Sequence, residues 1–240
     1  MIALTADTDW VPEKILNYFL DILDEYDATI TIFATHEIDG RHHEIALHPN
    51  LETTYNKEKY QRHTSLETAE KLKKTFPQAI GMRSHGLNVC TDMLLFLPKI
   101  GLKYDSSYIM PFQDGIKPYI IYPGVLEIPI YWMDIEIMRF GKSLRFDSSV
   151  LREQQKSSTV YVYDFHPSHV FTNTCSLDFY YNTYRPNYHN VDFLEDQRNT
   201  KEFGAQDALV EMLEILDNSD LHLMSEIYEH FRNGQNSERI

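Results

Sequence analysis

The chain has 240 residues, 42% hydrophobic and 24% charged, enough for one sizeable core, and no Gly/Ser-rich or Pro-rich linker divides it, so a single domain over 1–240 is expected. A net charge of -14 with no basic run argues against nucleic acid or an anionic membrane as partner. No run approaches the roughly 20 apolar residues of a membrane span, no secretory segment precedes Asp7, and Cys90 and Cys175 lack metal-type spacing, so a cytoplasmic protein with free thiols is expected.

The first apolar run, 1–6, reads as a strand that exits into Asp7-Thr8-Asp9. Pro12 then opens a helix in which Ile15, Leu16, Phe19, Ile22 and Leu23 recur at helical spacing, ended by the stretch 24–27. Within 28–35, Thr29, Ile30, Thr31, Ile32 and Phe33 are β-branched or aromatic, as a buried strand requires, which completes a βαβ opening. A short strand at 44–47 leads to His48, followed by a polar loop to Thr64-Ser65-Leu66-Glu67, a capping-box pattern before a helix ending near Phe76-Pro77. Strands follow at 79–82 and 102–105, around a helix at 91–100 interrupted by Pro98. Beyond Tyr108 the clearest strands are 126–132 and 159–165, while 172–200 is polar and aromatic and reads as a long loop or insertion over the site. An amphipathic helix at 205–216, a last strand at 221–224, a helix capped by Ser225 that runs to Phe231, and a frayed tail at 232–240 complete the pattern. Strand alternating with helix predicts an irregular parallel α/β barrel with functional groups at the C-terminal strand ends.

Those strand ends hold the ionisable residues. Asp7 and Asp9 are two apart and point the same way along a pleat, so they suit a base beside a hard-oxygen metal ligand, with capping of the Pro12 helix as the plainer role. His48, stiffened by Pro49, suits zinc or iron, and Glu52 is a second ligand or a solvated acid. His36, His42 and His43 read as surface histidines. Arg83 and His85 alternate along one segment; Arg83 suits pairing with an Asp of the first strand, and His85 suits a metal shell, against a surface salt bridge and a loop histidine. Asp164 and His166 are likewise two apart, His169 three beyond, and His166 is placed as a general acid. The 16 Tyr and 13 Phe, clustered late, suit sugar-facing walls as well as core.

In order, Asp7-Thr8-Asp9, Ala28-Thr29-Ile30-Thr31-Ile32-Phe33, Glu44-Ile45-Ala46-Leu47-His48, Gly81-Met82-Arg83-Ser84-His85, Gly101-Leu102-Lys103-Tyr104-Asp105-Ser106-Ser107, Glu127-Ile128-Pro129 and Phe165-His166-Pro167 resemble the motifs of the NodB-homology polysaccharide deacetylases. These are carbohydrate esterase family four, and the resemblance is to its divergent branch in surface-polysaccharide gene clusters. It implies a seven-stranded, distorted TIM-like (β/α) barrel and a metal-dependent deacetylase that removes an N-acyl group from an amino sugar or saccharide. One residue is inserted between the two acids, and Glu52 stands where the family has its second histidine. The resemblance implies Asp9 and His48 as ligands of a divalent metal, zinc foremost; His85, at the position of the family's proline, is expected to take the place of the missing histidine, with Glu52 as rival third ligand. It implies Asp7 as base oriented by Arg83, His166 as acid, and an oxyanion held by the metal and a backbone N–H near His85. Tyr104, Trp132, Asp134 and the late aromatic loop are then expected to receive the sugar. The other readings are an amidohydrolase or deformylase for a non-sugar amide, and a non-catalytic barrel binding a glycan or partner.

Overall fold

The computed structural model describes the backbone of residues 1–51, 53–56, 61–64 and 66–237 and the side chains of 1–51 and 66–232. In chain order it contains β1 (Ile2–Asp7), α1 (Glu13–Glu25), β2 (Thr31–Ala34), β3 (Glu44–Leu47), β4 (Thr53–Asn56), β5 (Gln61–Thr64), α2 (Glu67–Thr75), β6 (Gly81–Met82), α3 (Thr91–Phe96) and β7 (Tyr104–Asp105). The second half adds β8 (Tyr119–Ile121), β9 (Val125–Glu127), β10 (Trp132–Met133), α4 (Asp134–Arg139), α5 (Ser148–Gln155), β11 (Tyr161–Phe165), α6 (Pro167–Thr172), α7 (Leu177–Phe179), α8 (Val191–Asp196), α9 (Ala205–Ile215) and α10 (Met224–Ser237).

Nine strands form one curled, half-barrel sheet in the order β10-β11-β1-β2-β3-β6-β7-β9-β8. All pairs are parallel except β8 with β9, so eight strands run the same way and β8 is an antiparallel edge. The irregular barrel expected from the sequence is thus observed, with nine sheet strands rather than seven. Among the described residues no helix is long and apolar enough to cross a membrane.

The period of two along each strand decides what reaches the site. On β1, Ile2, Leu4 and Ala6 pack outward in the cluster that buries Ile15, Leu16, Phe19, Leu20, Ile22 and Leu23 of α1. Ala3 faces the other way, against Met224, Ile227 and Tyr228 of α10. Thr5 and Asp7 continue that inner row. On β11, Tyr161, Tyr163 and Phe165 pack outward and Val162 inward, so Asp164 and His166 follow on the inner row. On β3 the inner residues are Ala46 and then His48. The inner face is therefore apolar where α10 closes it and polar at the C-terminal strand ends.

Several local expectations are corrected. The polar loop after His48 contains an antiparallel pair, β4 with β5. Ser65 of the capping-box pattern lies outside the described residues, and Leu66 precedes α2. The strand expected at 126–132 divides into β9 and β10, because Pro129 has no N–H to donate and Ile130 makes only an isolated bridge to Ile109. The stretch 172–200 is a series of short helical turns and not an open loop. The last strand shrinks to one bridge between Ile2 and Leu221, and α10 runs to Ser237 through most of the supposed frayed tail, whose final residues 238–240 lie outside the described residues. His43 is buried rather than a surface histidine.

Tyr104 is fully buried, and its ring crosses Gly81 so closely that a Cβ there would lie 1.9 Å from Cζ. It is a core residue, which removes it from the expected sugar wall. Trp132, 3% exposed, packs among Phe146, Tyr163 and Phe165 and is corrected in the same way.

Asp105 and Glu127 neighbour each other across β7 and β9, both buried. Asp105 Oδ1 accepts from Ser107 and Glu127 Oε1 from the Tyr108 amide, which leaves Oδ2 and Oε2 without a donor unless the pair shares a proton. Burial pushes the Asp105 carboxyl up to about 6, and burial and Asp105 push Glu127 well above the ordinary range. The folded protein therefore keeps a proton that the unfolded chain releases above about pH 4. Stability conferred by that proton is present at low pH and falls as pH rises through the folded values. Glu127→Gln supplies an N–H in its place, so it should flatten this fall and raise stability at pH 8 by about 1–2 kcal/mol, read from urea unfolding at pH 5 and pH 8. An unchanged slope would show that the pair is not protonated.

Candidate active site

The deepest element of the site is Arg83, which follows β6 and is fully buried. Its Nε donates to the Ser106 carbonyl at 3.0 Å and Nη2 to Ser106 Oγ at 3.2 Å. Nη1 donates to Asp7 Oδ1 at 2.8 Å, to Thr5 Oγ1 at 3.1 Å and to Asp164 Oδ1. The guanidinium stacks 4.1 Å from the Phe33 ring centre. Ser107 Oγ accepts from the Ser84 amide at 2.9 Å and donates to Asp105, so the Asp105-Ser106-Ser107 stretch is the rack that holds the arginine segment. Burial disfavours the charge of Arg83, but Asp164 and Asp7 outweigh it and raise its pKa. Burial likewise pushes the Asp164 carboxyl up to about 7 against the pull of Arg83.

Asp9 reaches the same place by a different route. Thr8, the residue inserted between the acids, is buried; its Oγ1 accepts from the Thr35 amide at 3.0 Å and lies 3.0 Å from Thr35 Oγ1. Thr35 Oγ1 in turn accepts from the Trp10 amide at 2.9 Å. The chain then turns through left-handed backbone at Asp9 (φ 45°) and Trp10 (φ 55°), a conformation non-glycine residues adopt at some cost. Asp9 Oδ1 consequently stands 3.3 Å from His48 Nε2 and 3.0 Å from His85 Nδ1. His48 donates from Nδ1 to the Arg83 carbonyl at 2.8 Å, which turns Nε2 toward Asp9. His85 is placed by a 3₁₀ turn, His85–Leu87, with its amide bound to the Pro49 carbonyl and that of Leu87 to Ser84.

The opposite side is built on Asp134, buried at the start of α4. Its Oδ1 lies 2.7 Å from His166 Nδ1, and its Oδ2 lies 3.0 Å from His169 Nδ1 and accepts from the His166 amide at 2.9 Å. Asp134 was expected to touch sugar; both its oxygens are instead taken by the two histidines. His166 Nε2 points back to Asp9 Oδ2 at 3.6 Å. Burial opposes the His166 charge, yet Asp134 and Asp9 raise its pKa well above the usual value. Burial also opposes the Asp9 charge, and hydrogen bonds from His48 and His85 hold that carboxyl well below the usual range.

Asp7, Asp9, His48, His85, His166 and His169 line one cavity of about 330 Å³. Its outer wall carries Glu136 and Arg139 from α4 and Tyr180, Tyr181 and Arg185 from the turns after α7. A larger cleft of about 730 Å³ near Arg198 and Asp207 contains no histidine. Sequence reasoning missed the role of His169, although its spacing of three from His166 on a helix begun by Pro167 was a usable signal. It had no signal for Thr5, Thr35 or Ser106, whose roles depend on strands far apart in sequence.

Three groups in or behind the cavity bring His and Asp donors together, Asp9-His48-His85, Asp134-His166-His169 and Asp7-Asp164-His166, while a fourth, Asp24-His42-His43, includes no residue of the cavity wall. The first fits a metal best. Donors about 2.0–2.1 Å from a tetrahedral zinc stand about 3.3 Å from one another, close to the Asp9–His48 and Asp9–His85 separations. In the second group the carboxylate is already satisfied by hydrogen bonds, and in the third Arg83 already supplies the positive charge. Glu52, the rival ligand, lies outside the described residues.

A curled, mainly parallel sheet with an Asp/His centre at its C-terminal strand ends defines a barrel of the NodB deacetylase type. The WbmS-like polysaccharide deacetylase family model matches residues 4–184, and the chain belongs to that family. The chain is similar to a crystal structure of a Bordetella bronchiseptica protein described as a candidate polysaccharide deacetylase involved in O-antigen biosynthesis, with 27% identity, a TM-score of 0.71 and coverage of 89% of each chain. A candidate polysaccharide deacetylase from Mycobacterium smegmatis matches at 18% identity and TM-score 0.47, over 98% of this chain and 90% of that one. A 4-alpha-glucanotransferase from Thermococcus litoralis shares the fold alone, at 15% identity and TM-score 0.51, over 96% of this chain and 38% of that one. No curated protein matches the sequence.

Arg83→Lys retains one positive charge and loses the planar fork that serves Asp7, Asp164 and Ser106 together. It should lower unfolding free energy by about 3–5 kcal/mol in urea titrations. A loss below about 1 kcal/mol, the range of an exposed pair, would mean the site does not depend on this clamp.

Proposed function

We propose that the protein is a metal-dependent hydrolase that removes an N-acyl group, acetyl foremost, from an amino sugar in polysaccharide metabolism. The observation that carries this reading is the Asp9-His48-His85 donor set placed between Asp7 on one side and His166 on the other, in one cavity. The family and the description of the Bordetella relative support a saccharide substrate.

Asp9, His48 and His85 would hold a divalent cation, zinc foremost. When bound it supplies Lewis-acid polarisation of the acyl carbonyl and a lower pKa for water. Asp7 accepts the proton of the attacking water through the oxygen that Arg83 leaves free; Oδ1 is held by Nη1, while Oδ2 faces the cavity near His48. Arg83 fixes the direction of that carboxylate. His166 donates a proton from Nε2 to the departing amine, because Asp134 binds Nδ1 and favours the imidazolium. His169, held by the other oxygen of Asp134, keeps that carboxylate from turning away. Tyr180 and Tyr181 give the sugar ring an apolar face at the entrance.

The test is elemental analysis after zinc reconstitution, paired with acetate release from N-acetylated saccharides. Wild type and His166→Ala should each hold about one metal per chain, Asp9→Ala should hold none, and His166→Ala should lose on the order of 10²–10⁴-fold in kcat. A wild type that takes up no metal, or a His166→Ala protein that loses it, would sink this assignment of roles.

A further inference from the structure

The cavity wall carries charge that acyl hydrolysis does not use. Arg139, in the last turn of α4, and Arg185, beyond α7, both line it. Among the described residues no carboxylate lies within 4 Å of Arg185, and its guanidinium rests 5.7 Å from the Tyr181 ring centre. Arg139 meets Glu136 only at 3.6 Å, with its own side chain 55% exposed. Arg41 is bound by Asp21 and Asp24 and Arg83 by Asp7 and Asp164, while Arg198, which also lacks a carboxylate, is taken up by Tyr18 and Gln206 away from this cavity. What singles out Arg185 and Arg139 is their place: both stand on the wall of the Asp7/Asp9 cavity, where a bound molecule is the partner within reach of Arg185.

The missing partner is defined by its chemistry. A neutral acylamino sugar offers a guanidinium only hydroxyl and amide oxygens, whereas a carboxylate or phosphate accepts two parallel, charge-assisted hydrogen bonds. In the hydrolase reading the floor receives the acylamino group, at Asp7 and the Asp9-His48-His85 donor set, so an anionic group on the same sugar is left to face the outer wall. We infer that the saccharide entering this cavity bears an anionic group, received by Arg185 with Arg139 beside it, and that this pair sets which end of the substrate points inward. The inference rests on the hydrolase reading above and deepens it. The anion is either a carboxylate on the sugar itself or the phosphate of a sugar phosphate or sugar nucleotide.

The experiment is calorimetric binding to the zinc-reconstituted protein and to Arg185→Gln and Arg139→Gln, using N-acetylglucosamine, N-acetylglucosaminuronic acid and UDP-N-acetylglucosamine as probes. Acetate release is followed in the same samples. Wild type should bind at least one anionic probe about tenfold or more tightly than the neutral sugar, the strength expected of a charge-assisted contact, and Arg185→Gln should shrink that ratio to less than about threefold. Preference for the uronic acid alone assigns the anion to the sugar, and preference for the nucleotide alone assigns it to phosphate. Equal affinity for all three probes, no binding of any, or an equal loss for all three in Arg185→Gln overturns the inference. Acetate released without any anionic preference counts against the arginine pair and leaves the hydrolase reading standing. Preference without acetate release counts against hydrolysis and leaves the anion site standing.

Discussion

The structure depends on one buried guanidinium. Arg83 has no contact with solvent, and its three nitrogens tie the first strand, the loop after β7 and β11 into one unit through Asp7, Thr5, Ser106 and Asp164. A buried ion cluster of this kind is poor at adding net stability, because removing the charges from water costs about as much as their attraction returns. Its value here is geometric. A planar fork with five N–H donors can satisfy two carboxylates and a carbonyl only in one arrangement, so the direction of the Asp7 carboxylate is fixed before any substrate arrives. The Asp105-Ser106-Ser107 stretch then has a physical reason: two serines and a carbonyl fill the hydrogen-bond requirements on the far side of the arginine segment.

Around that anchor, the strand period sorts each residue into core or site. Ala3, Thr5 and Asp7 form one inner row, Val162, Asp164 and His166 another, each changing from apolar to polar toward the C-terminal strand end. The residue inserted between the two acids would upset this register if the strand simply continued. It does not continue: Thr8 pins to Thr35, the backbone turns left-handed at Asp9, and the second carboxylate swings back over His48. The local strain at Asp9 and Trp10 is thus balanced by the Thr8–Thr35 hydrogen bonds, and the extra residue is absorbed without displacing the donor set.

This explains what was legible in the sequence and what was not. The rows ending at Asp7, His48 and His166 and the pairing of Arg83 with the first strand follow from alternation and from placing charges at strand ends, which are local properties. The helical character of 172–200 was hidden because its turns are short and mixed in type, with a π turn at Tyr180–Tyr184 and a 3₁₀ turn at Arg185–Asn187, and so show no regular apolar period. Tyr104 and Trp132 were misplaced for another reason. An aromatic residue near a motif looks the same in sequence whether it faces a ligand or a neighbouring strand, and only the close approach to Gly81 and the packing around Phe165 decide between them. Asp134 was located but its duty was not, since its two histidine partners lie more than thirty residues away.

The site has an electrical polarity that follows from counting partners on each side. On the first-strand side, two carboxylates, Asp7 and Asp164, share one guanidinium; there is more negative charge than Arg83 can neutralise, and burial favours the protonated form of Asp164. On the α4 side the ratio is reversed, because the single carboxylate of Asp134 serves two imidazoles and favours positive charge on His166. On the proposed reading, one flank of the cavity accepts a proton and the other releases one, with the donor set between them. Environments that push neighbouring titratable groups in opposite directions divide base from acid in a hydrolase. Here that division comes from the stoichiometry of buried ion pairs rather than from the identity of any single residue.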